Sequence, residues 1–532
     1  RAERGKLIHI EPRMSPTSAA ADQWVPVNPG REGELALAIG NAIIEEGGVP
    51  EDRIAAYKSI FASDALESVD DSNLGVSHDT IHDIAVALGH GPALVIGGGS
   101  AGAHTNGTFN LTAIYALNVL LGSVGVPGGV IYNPESPVED LPSSSSGASF
   151  ETWEKELAQW RAGNVGTVIL RQANLVHGLP RSVNVPQALE NVEHVVAFAD
   201  VLDDTSALAD LVLPEASYLE SWAMDIPEPG PGYQTVGIQQ PVVTPARTRD
   251  GATILSDARS FGDVLLGAAD GALGANSMQD LVEDAASKLF DLNRSSSSVK
   301  AYNSGMFLRG TLQRGGWWDT ESGVNSAVPS SLSSVSPAAP KFSSTESGVT
   351  EEFFLMPFAS TALGDGKFAA APWAQATPDP ITSATWVTWV EINHDVADRL
   401  GIEEGDEIAI RSTTGEIVAL AYPHRAAAPN ILGVPIGQGN ENSGRWAEGR
   451  GSNVLSILVD QKDSETGALA WASTRVRISR LGTSQKMTKL EGTVEAIAIE
   501  PQFPIVVVEP GESAEDAIHH AHEEHDMYAD EK

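Results

Sequence analysis

The sequence predicts an α/β protein in which parallel-sheet, Rossmann-like domains are followed by a C-terminal β-barrel domain. In the first half of the chain, short apolar strands alternate with helical patterns, and that alternation is typical of parallel sheets. Beyond residue 350 the pattern becomes rich in strands, with a strand pair turned at Thr414-Gly415, which predicts a barrel. A chain of 532 residues is long for one core and indicates several domains.

The first α/β domain is predicted over residues 1–148. KLIHI at 6–10 predicts a buried strand, and ELALAIGNAIIEE at 34–46 predicts a helix. A helix–strand–helix unit follows, with PALVIGG at 92–98 as its strand. The strand at 6–10 has nothing before it to pair with, so we expect further chain to precede residue 1.

The second α/β domain is predicted over residues 149–291, where apolar strand patterns recur. The composition then shifts to serine, which predicts a linker or surface insert over 292–349. The barrel domain is predicted over 350–510. Residues 511–532 form an acidic, histidine-rich tail.

Charge and cysteine content exclude several classes of function. Lys and Arg number 33 against 71 Asp and Glu, and a net charge of −38 would repel a phosphate backbone, so nucleic acid is excluded as a partner. The absence of cysteine excludes disulfides, thiolate-held iron–sulfur clusters and a cysteine ligand to molybdenum within these residues. The longest apolar runs contain Gly and Pro and are too short to predict a membrane span.

The segment GGGSAG at 97–102 satisfies a GxGxxG pattern through Gly97, Gly99 and Gly102. A dinucleotide site of that type also needs an acidic residue about 20 positions later. The stretch 116–129 contains none, so we favour a tight strand-to-helix crossing in which glycine permits close packing.

Glu11 and Arg13 follow the first strand, at the kind of strand end where nucleotides bind in open α/β sheets. Arg13 could grip a phosphate while Glu11 accepts a hydrogen bond from a ribose or a base. From spacing alone, a helix-capping loop is the favoured interpretation. Asp210 and Glu220 could form an acid/base pair, although ordinary solvent-facing carboxylates are commoner.

The tail contains four histidines among carboxylates, in a spacing compatible with zinc, although a charged terminal helix is favoured: His519, His520, His522 and His525. The sequence contains no HExxH, Walker A or GxSxG motif, which weakens zinc protease, phosphoryl-transfer and serine-hydrolase hypotheses. From the residues alone we assign no catalytic residue and no metal ligand.

Several segments together resemble the molybdopterin oxidoreductase (DMSO reductase) superfamily: KLIHIEPRMSPTSAAADQWVPVNPG at 6–30, TSALADLVLPEASYLES at 205–221, PWAQATPDPITSATWVTWVEI at 372–392, GVPIGQGNENSGRWAEGRGSNVLSIL at 433–458 and TGALAWASTRVRI at 466–478. Within the superfamily, the chain is most similar to the large iron–sulfur subunit of bacterial alternative complex III. The resemblance covers most of the chain outside the serine-rich insert. It implies pterin-side α/β domains capped by the barrel.

The resemblance also assigns site residues. Contacts to a pterin dinucleotide would map to six positions: Glu11, Arg13, Thr205, Asp210, Gln438 and Arg445. In alternative complex III this scaffold is understood to have lost molybdenum, so these contacts are expected to be vestigial. The chain departs from its relatives at Asn440, where they carry His, and at Trp446, where Tyr is usual.

The function implied is a non-catalytic scaffold in a membrane-associated quinol:electron-acceptor oxidoreductase, on the periplasmic face. The expected partners are an iron–sulfur module, a multihaem cytochrome c and integral membrane quinol-binding subunits. No cofactor is expected in this chain, with iron–sulfur clusters in an adjoining ferredoxin-like module and haem c in a partner. The alternative is the body of a molybdenum or tungsten bis-pterin enzyme acting on formate or a small oxyanion, which would hold molybdopterin. A free-standing nucleotide-binding dehydrogenase is the least favoured hypothesis.

Overall fold

The computed structural model describes residues 4–61, 71–138, 147–244, 258–323, 335–343, 351–490 and 513. The chain forms two compact units, residues 1–488 and 489–532, and all helices and strands given below lie in the first. Within the described ranges, no helix has both the length and the apolar character needed to cross a bilayer.

The first α/β region is a two-stranded parallel sheet covered by helices: β1 (Ile8–Ile10), α1 (Pro16–Ala20), β2 (Gln23–Val25), α2 (Glu32–Glu45), α3 (Glu51–Phe61), α4 (Asp71–Leu74), α5 (His78–Gly89) and α6 (Gly107–Leu121). The strand predicted at 6–10 and the helix predicted at 34–46 are confirmed as β1 and α2. Leu35, Phe61 and Leu117 are fully buried where α2, α3 and α6 pack together.

The prediction of a strand at 92–98 is wrong, because this segment is not part of any sheet among the described residues. The side chain of Asn118, on α6, takes the place of a neighbouring strand. Its Oδ1 accepts from the Val95 N–H at 2.9 Å, and its Nδ2 donates to the Val95 carbonyl at 2.6 Å. The apolar pattern identified an extended segment but could not identify its partner.

The second α/β region contains the predicted parallel sheet, with strand order β3-β4-β5. Its elements are α7 (Phe150–Arg161), β3 (Thr167–Arg171), α8 (Leu175–Gly178), α9 (Val185–Leu189), β4 (His194–Ala199) and β5 (Leu211–Pro214). Val168, Leu170 and Val195 pack against Leu157 of α7 and Ala188 of α9, which gives this sheet its own core.

An antiparallel sheet follows, with strand order β6-β7-β8. Its elements are β6 (Ala223–Asp225), β7 (Tyr233–Gln239), α10 (Phe261–Ala268), α11 (Met278–Asp291), α12 (Ser304–Arg314) and β8 (Gly316–Gly323). The serine-rich stretch predicted as a linker or surface insert over 292–349 contains regular structure, in α12 and β8. Trp317 of β8 is fully buried, and its Nε1 donates to the Ser297 Oγ at 2.8 Å, so a serine of the polar run supports a core residue. The domain boundaries remain predictions.

The predicted barrel is confirmed as a closed six-stranded barrel of order β10-β12-β11-β14-β9-β13. Its elements are β9 (Phe353–Ala359), α13 (Pro372–Ala376), β10 (Trp389–Asn393), α14 (His394–Leu400), β11 (Asp406–Arg411), β12 (Glu416–His424), β13 (Ile431–Ile436) and β14 (Arg475–Ser484). Inward-facing aliphatic residues such as Val390, Ile408 and Leu432 are fully buried in it.

Candidate functional site

The loops that follow β3 and β4 contact the loop that follows barrel strand β13. Asp204 accepts hydrogen bonds from the backbone N–H groups of Glu441 and Asn442 at 2.8 and 2.6 Å. The buried His177 Nε2 lies 3.0 Å from the Gln438 carbonyl, and the Asn453 side chain donates to the His177 carbonyl at 2.7 Å. We call this contact between the loops after β3 and β4 and the barrel loop at 437–446 the seam. Because ligands of open α/β sheets bind beyond the carboxyl ends of the strands, the seam is the candidate site.

Arg13 lies at a second contact between the α/β region and the barrel. Its guanidinium donates two hydrogen bonds of 2.7 Å to the Glu391 carboxylate and lies 3.4 Å from the centre of the Phe358 ring. Gly433 of β13 makes room for the pair, since a Cβ at that position would lie 2.4 Å from the Glu391 carboxylate. The Glu391 carboxylate therefore pairs with the Arg13 guanidinium, for which the sequence had suggested a phosphate as the partner.

Glu11 lies on the α/β side of this region. One carboxylate oxygen accepts from the Ser18 hydroxyl at 3.4 Å and is 3.5 Å from the His9 Nε2. Ser15 caps α1 by accepting from the Ser18 N–H, so the loop does act as a helix cap. Glu11 and Arg13 therefore follow the same strand but have different partners.

Thr205 and Asp210 lie in the loop that joins β4 to β5, and both have structural partners. The fully buried Thr205 hydroxyl accepts from the Val176 N–H at 2.9 Å and donates to the Asn174 side chain at 3.1 Å. Asp210 is exposed, and its carboxylate accepts from the Val195 N–H at 2.7 Å. This hydrogen bond indicates that the Asp210 carboxylate has a structural role and is not an acid/base partner of Glu220.

Gln438 and Arg445 both lie in the barrel loop at the seam. Gln438 is buried and donates to the Gln375 side chain at 2.7 Å. Arg445 is exposed, and its guanidinium lies 4.7 Å from the centre of the Trp446 ring. Gln438 and Arg445 therefore lie in the barrel loop of the seam, and Thr205 lies in the loop opposite. Arg13 lies outside the seam, at the contact with Glu391.

The GGGSAG segment does not lead directly into a helix that could bind a pyrophosphate. Helix α6 begins at Gly107, and Asp463 of the barrel domain accepts from the Thr108 N–H at 3.0 Å and from its hydroxyl at 2.7 Å. Burial raises the pKa of Asp463, but hydrogen bonds from the backbone of Thr108 and Thr466 outweigh it and lower the pKa to about 2. A protein carboxylate thus occupies the position at which a Rossmann site would hold phosphate.

A buried polar cluster lies beneath the GGGSAG segment. Burial raises the pKa of Glu32 to about 7, while the Asn110 amide donates to its carboxylate at 3.2 Å. Burial lowers the pKa of His104 to about 3, so that its imidazole is neutral at pH 7. Within the described ranges, no group of three or more His, Asp or Glu side chains could hold a metal ion. The four tail histidines lie outside the described residues.

A small pocket with an interior volume of about 20 Å³ opens on the barrel side of the seam. Gln375, Gln438, Trp386 and Trp389 are among its lining residues. Trp386 has a left-handed backbone with φ of 65°, which is uncommon for a bulky residue and frequent at functional sites. The guanidinium of Arg450 lies 4.7 Å from the centre of the Trp386 ring.

Comparison with protein families agrees with this arrangement. The family model described as Molybdopterin oxidoreductase matches residues 1–257, and the one described as Molydopterin dinucleotide binding domain matches residues 376–468. The chain belongs to the molybdopterin oxidoreductase family. The second match includes the cavity-lining residues Trp386, Trp389 and Gln438, so the cavity lies in the dinucleotide-binding domain of this family.

Three curated relatives and one solved structure illustrate the similarity. The menaquinone reductase molybdopterin-binding-like subunit of Nitratidesulfovibrio vulgaris is 25% identical over 488 residues, which cover 89% of this chain and 65% of that protein. The arsenate respiratory reductase molybdopterin-containing subunit of Chrysiogenes arsenatis is 25% identical over 45% of this chain and 36% of its own length. The assimilatory nitrate reductase of Haloferax mediterranei is 28% identical over 41% of this chain and 35% of its own.

The solved structure is acetylene hydratase from Pelobacter acetylenicus, which superposes with a TM-score of 0.61 at 15% identity, over 89% of this chain and 74% of that one. At that identity the superposition supports the fold alone. Together with the family matches, it confirms the predicted molybdopterin oxidoreductase fold of parallel sheets and a barrel.

The expectation that this chain holds no cofactor is wrong, because both family matches point to molybdopterin in this chain. The residues at the seam fit such a group. Arg450 has a buried Nε, and Trp389 a buried indole N–H, that have no hydrogen-bond partner among the described residues. Both are donors, as a phosphate-bearing, acceptor-rich dinucleotide requires. Arg450, Trp386, Trp389 and Gln438 are the residues that would hold it.

Sequence analysis missed the residues that join the two sides of the seam, His177, Asp204 and Glu391, as well as Arg450. Their roles depend on partners far away along the chain, and no local motif marks them. Arg450 carries one weak signal, since it lies in a glycine-rich stretch five residues after Arg445, which the resemblance did identify.

Proposed function

We propose that this chain is the molybdopterin-binding subunit of a membrane-associated, quinone-linked oxidoreductase complex. The extent of its similarity to the menaquinone reductase subunit carries the proposal, since that match covers 89% of the chain. The matches to the arsenate and nitrate reductases cover less than half of it. The chain spans about two thirds of the menaquinone reductase subunit, 65% of its length, so the activity of the whole protein belongs to the proposal.

The seam supplies what cofactor binding needs. Asp204 and His177 fix the barrel loop at 437–446 over the carboxyl ends of the parallel sheet. This fixed loop carries Gln438, whose side chain lines the pocket and donates to the Gln375 side chain. When bound, the pterin cofactor supplies a metal-dithiolene centre for two-electron chemistry, and the protein supplies binding and orientation.

In this proposal, the chain also docks its partners: an iron–sulfur module, a multihaem cytochrome c and quinol-binding membrane subunits at the periplasmic face. Exposed aliphatic side chains support docking, since Ile96 is 82% exposed and Leu94 is 41% exposed on one extended segment. The charge of −38 supports partners with basic surfaces, such as a positively charged cytochrome.

The experiment that tests this proposal is composition analysis of the native complex, combined with an assay of quinol oxidation. We expect oxidised pterin fluorescence in proportion to this chain, co-purifying haem c and iron–sulfur subunits, and reduction of an acceptor by menaquinol. A pterin-free complex, or a chain that purifies alone without quinol activity, contradicts the proposal.

A second candidate is the body of a molybdenum or tungsten enzyme that acts on a small oxyanion or on formate. The similarity to an arsenate reductase and a nitrate reductase favours it. Reduction of arsenate or nitrate by reduced viologen, or oxidation of formate, with no response to quinol, would select this candidate over the first.

A further inference from the structure

The extended segment at 92–98 has unpaired backbone groups along one of its two edges. Along the other edge, the Val95 N–H and carbonyl pair with the Asn118 side chain at 2.9 and 2.6 Å. Because backbone groups alternate in direction along an extended chain, those of Leu94 and Ile96 face away from Asn118. No described residue forms a hydrogen bond with the backbone of Leu94 or Ile96. The segment therefore offers a free edge for strand pairing.

Strand β1 has a free edge as well. The Leu7 carbonyl accepts from the first residue of β2 and the Glu11 N–H donates to the last, both at 3.3 Å. The backbone groups of Ile8 and Ile10 therefore face away from β2, and no other strand among the described residues pairs with β1. Ile8, Ile10 and Val95 pack against the same buried core. Most sheets have more than two strands, so this region has the capacity to pair with a further strand over that core.

The stretch of chain around this segment is uncharged. Residues 84–134 contain no Asp, Glu, Lys or Arg, although charged residues make up 20% of the whole chain. The burial of α6 accounts for part of this composition. Ile96, Ile131 and Val126 are nevertheless exposed, at 82%, 51% and 42%. Exposed aliphatic residues in a stretch without charges are typical of a surface that a partner protein covers.

The free edge and the net charge together identify the kind of partner. Lipid tails form no hydrogen bonds, so a membrane would leave the backbone groups of Leu94 and Ile96 unpaired. A second copy of this chain would bring a second net charge of −38, which opposes self-association. An extended strand of a different polypeptide satisfies the backbone groups and places alternate apolar side chains beside Ile96.

We propose that an uncharged, aliphatic strand of another subunit pairs with the backbone of Leu94 and Ile96, and that its side chains cover Ile96. The inference rests on the proposed function, because it takes the partner from the same complex. It adds the mode of contact, which is the addition of a β-strand to a free edge. The segment at 92–98 then becomes a strand only in the assembled complex.

The first test is photocross-linking in the native complex. The chain has no cysteine, so Ile96→Cys supplies a single thiol for a benzophenone maleimide. The labelled chain takes the place of the unaltered one in the complex, and mass spectrometry identifies the cross-linked peptide after irradiation. We expect an aliphatic peptide of another subunit. The matched control is Tyr302→Cys, which is 95% exposed and lies outside the uncharged stretch, and it should not cross-link to that peptide.

Hydrogen–deuterium exchange tests the pairing of the backbone. The Leu94 and Ile96 amides should exchange at least about 10-fold more slowly in the complex than in the isolated chain, because hydrogen bonds to a strand protect them. Ile96→Lys should weaken association with the cross-linked subunit about 10-fold or more, since a lysine on an edge opposes strand pairing. Ile96→Val and the control Tyr302→Lys should leave association within about threefold. Both positions are exposed, so these substitutions remove no core contact.

Three outcomes overturn the proposal: a cross-link to this chain's own polypeptide, within one copy or between copies; a cross-link to lipid or to nothing; or equal exchange of the two amides in the complex and in the isolated chain. Any of these in a complex that contains pterin and oxidises quinol overturns this inference alone. A pterin-free complex that still gives the cross-link overturns the proposed function alone. A chain that purifies without partners overturns both.

Discussion

Arg13 and Glu391 are 378 positions apart in sequence and form a bidentate ion pair in which both hydrogen bonds measure 2.7 Å. Arg13 is 6% exposed and Glu391 is 2% exposed, so the pair is shielded from water and salt. It joins the loop after β1 to barrel strand β10. The ion pair therefore connects the α/β region and the barrel in the folded chain.

Arg13→Met should lower the free energy of unfolding by about 3–5 kcal/mol, because it leaves the Glu391 carboxylate buried and unpaired. Denaturant unfolding measures the loss. The matched control is Arg411→Met, which removes an exposed pair with Glu416 and should cost less than about 1 kcal/mol. The double variant Arg13→Met/Glu391→Met should lose less than the two single losses together, and strict additivity would contradict direct coupling.

Asp463→Asn should destabilise the chain at pH 7 by about 1–3 kcal/mol, because the carboxylate accepts from the backbone and hydroxyl groups of Thr108 and Thr466. The folded pKa of Asp463, about 2, is below its ordinary value, so its contribution is present above pH 4 and is lost as pH falls towards 2. Denaturant unfolding of the unaltered chain and of Asp463→Asn, from pH 7 down to 2.5, should show a shrinking difference in the free energy of unfolding. A constant difference would mean that the charge of Asp463 is unimportant.

Glu32→Gln should stabilise the chain at pH 8 and have little effect at pH 4. The folded pKa of Glu32, about 7, lies above its ordinary value of 4.5, so the wild-type chain loses stability as pH rises between these values. Glutamine keeps an oxygen for the Asn110 amide and carries no charge to bury. Thermal unfolding at the two pH values gives the comparison, and equal effects at both would show that Glu32 does not titrate in this range.

Asp204→Ala should loosen the barrel loop at the seam, because it removes the acceptor of the Glu441 and Asn442 N–H groups. We expect faster hydrogen–deuterium exchange in residues 437–446 than in the unaltered chain. Asp200→Ala, at a nearby exposed aspartate, serves as the control and should leave that exchange unchanged. Equal exchange in Asp204→Ala and the unaltered chain would show that the loop is held by other contacts.

Gly40→Ala should cost about 1–3 kcal/mol, because a Cβ on α2 would lie 2.2 Å from the Phe61 ring. Gly91→Ala is the control, since a Cβ there meets nothing within 4 Å. Denaturant unfolding compares the two variants. A loss in Gly91→Ala as large as that in Gly40→Ala would assign the effect to the backbone rather than to the ring.

The parts of the fold that depend on local patterns could be predicted from the sequence. The β11–β12 pair around Thr414-Gly415 was predicted because a turn signal and alternating apolar residues lie close together. The serine run before β8 was misinterpreted, because composition does not show that Ser297 supports the buried Trp317. PALVIGG was misinterpreted because an extended segment becomes a strand only when another strand pairs with it.

The candidate site was predicted less completely than the fold. The resemblance named Gln438 and Arg445, which lie in the barrel loop, and Thr205, which lies beside the seam. Their contact with a cofactor stays a prediction. The pairing of Arg13 with Glu391 and the contact of Asp204 with the 441–442 backbone join distant positions, and no sequence spacing reveals such contacts. The cofactor expectation failed because it was carried over from alternative complex III, whose scaffold is understood to have lost molybdenum, whereas both family matches of this chain point to molybdopterin.

The contacts between the α/β region and the barrel also set an order of events during synthesis. Arg13 and Thr108 leave the ribosome long before their partners Glu391 and Asp463 are made. Until then, the Arg13 guanidinium and the N-terminal end of α6 are hydrogen-bonded to water. During that interval the cavity residues of the barrel do not yet exist. A large cofactor would therefore enter either as the barrel closes during maturation or through a later opening of the finished protein, and delivery of the cofactor becomes a step of biogenesis.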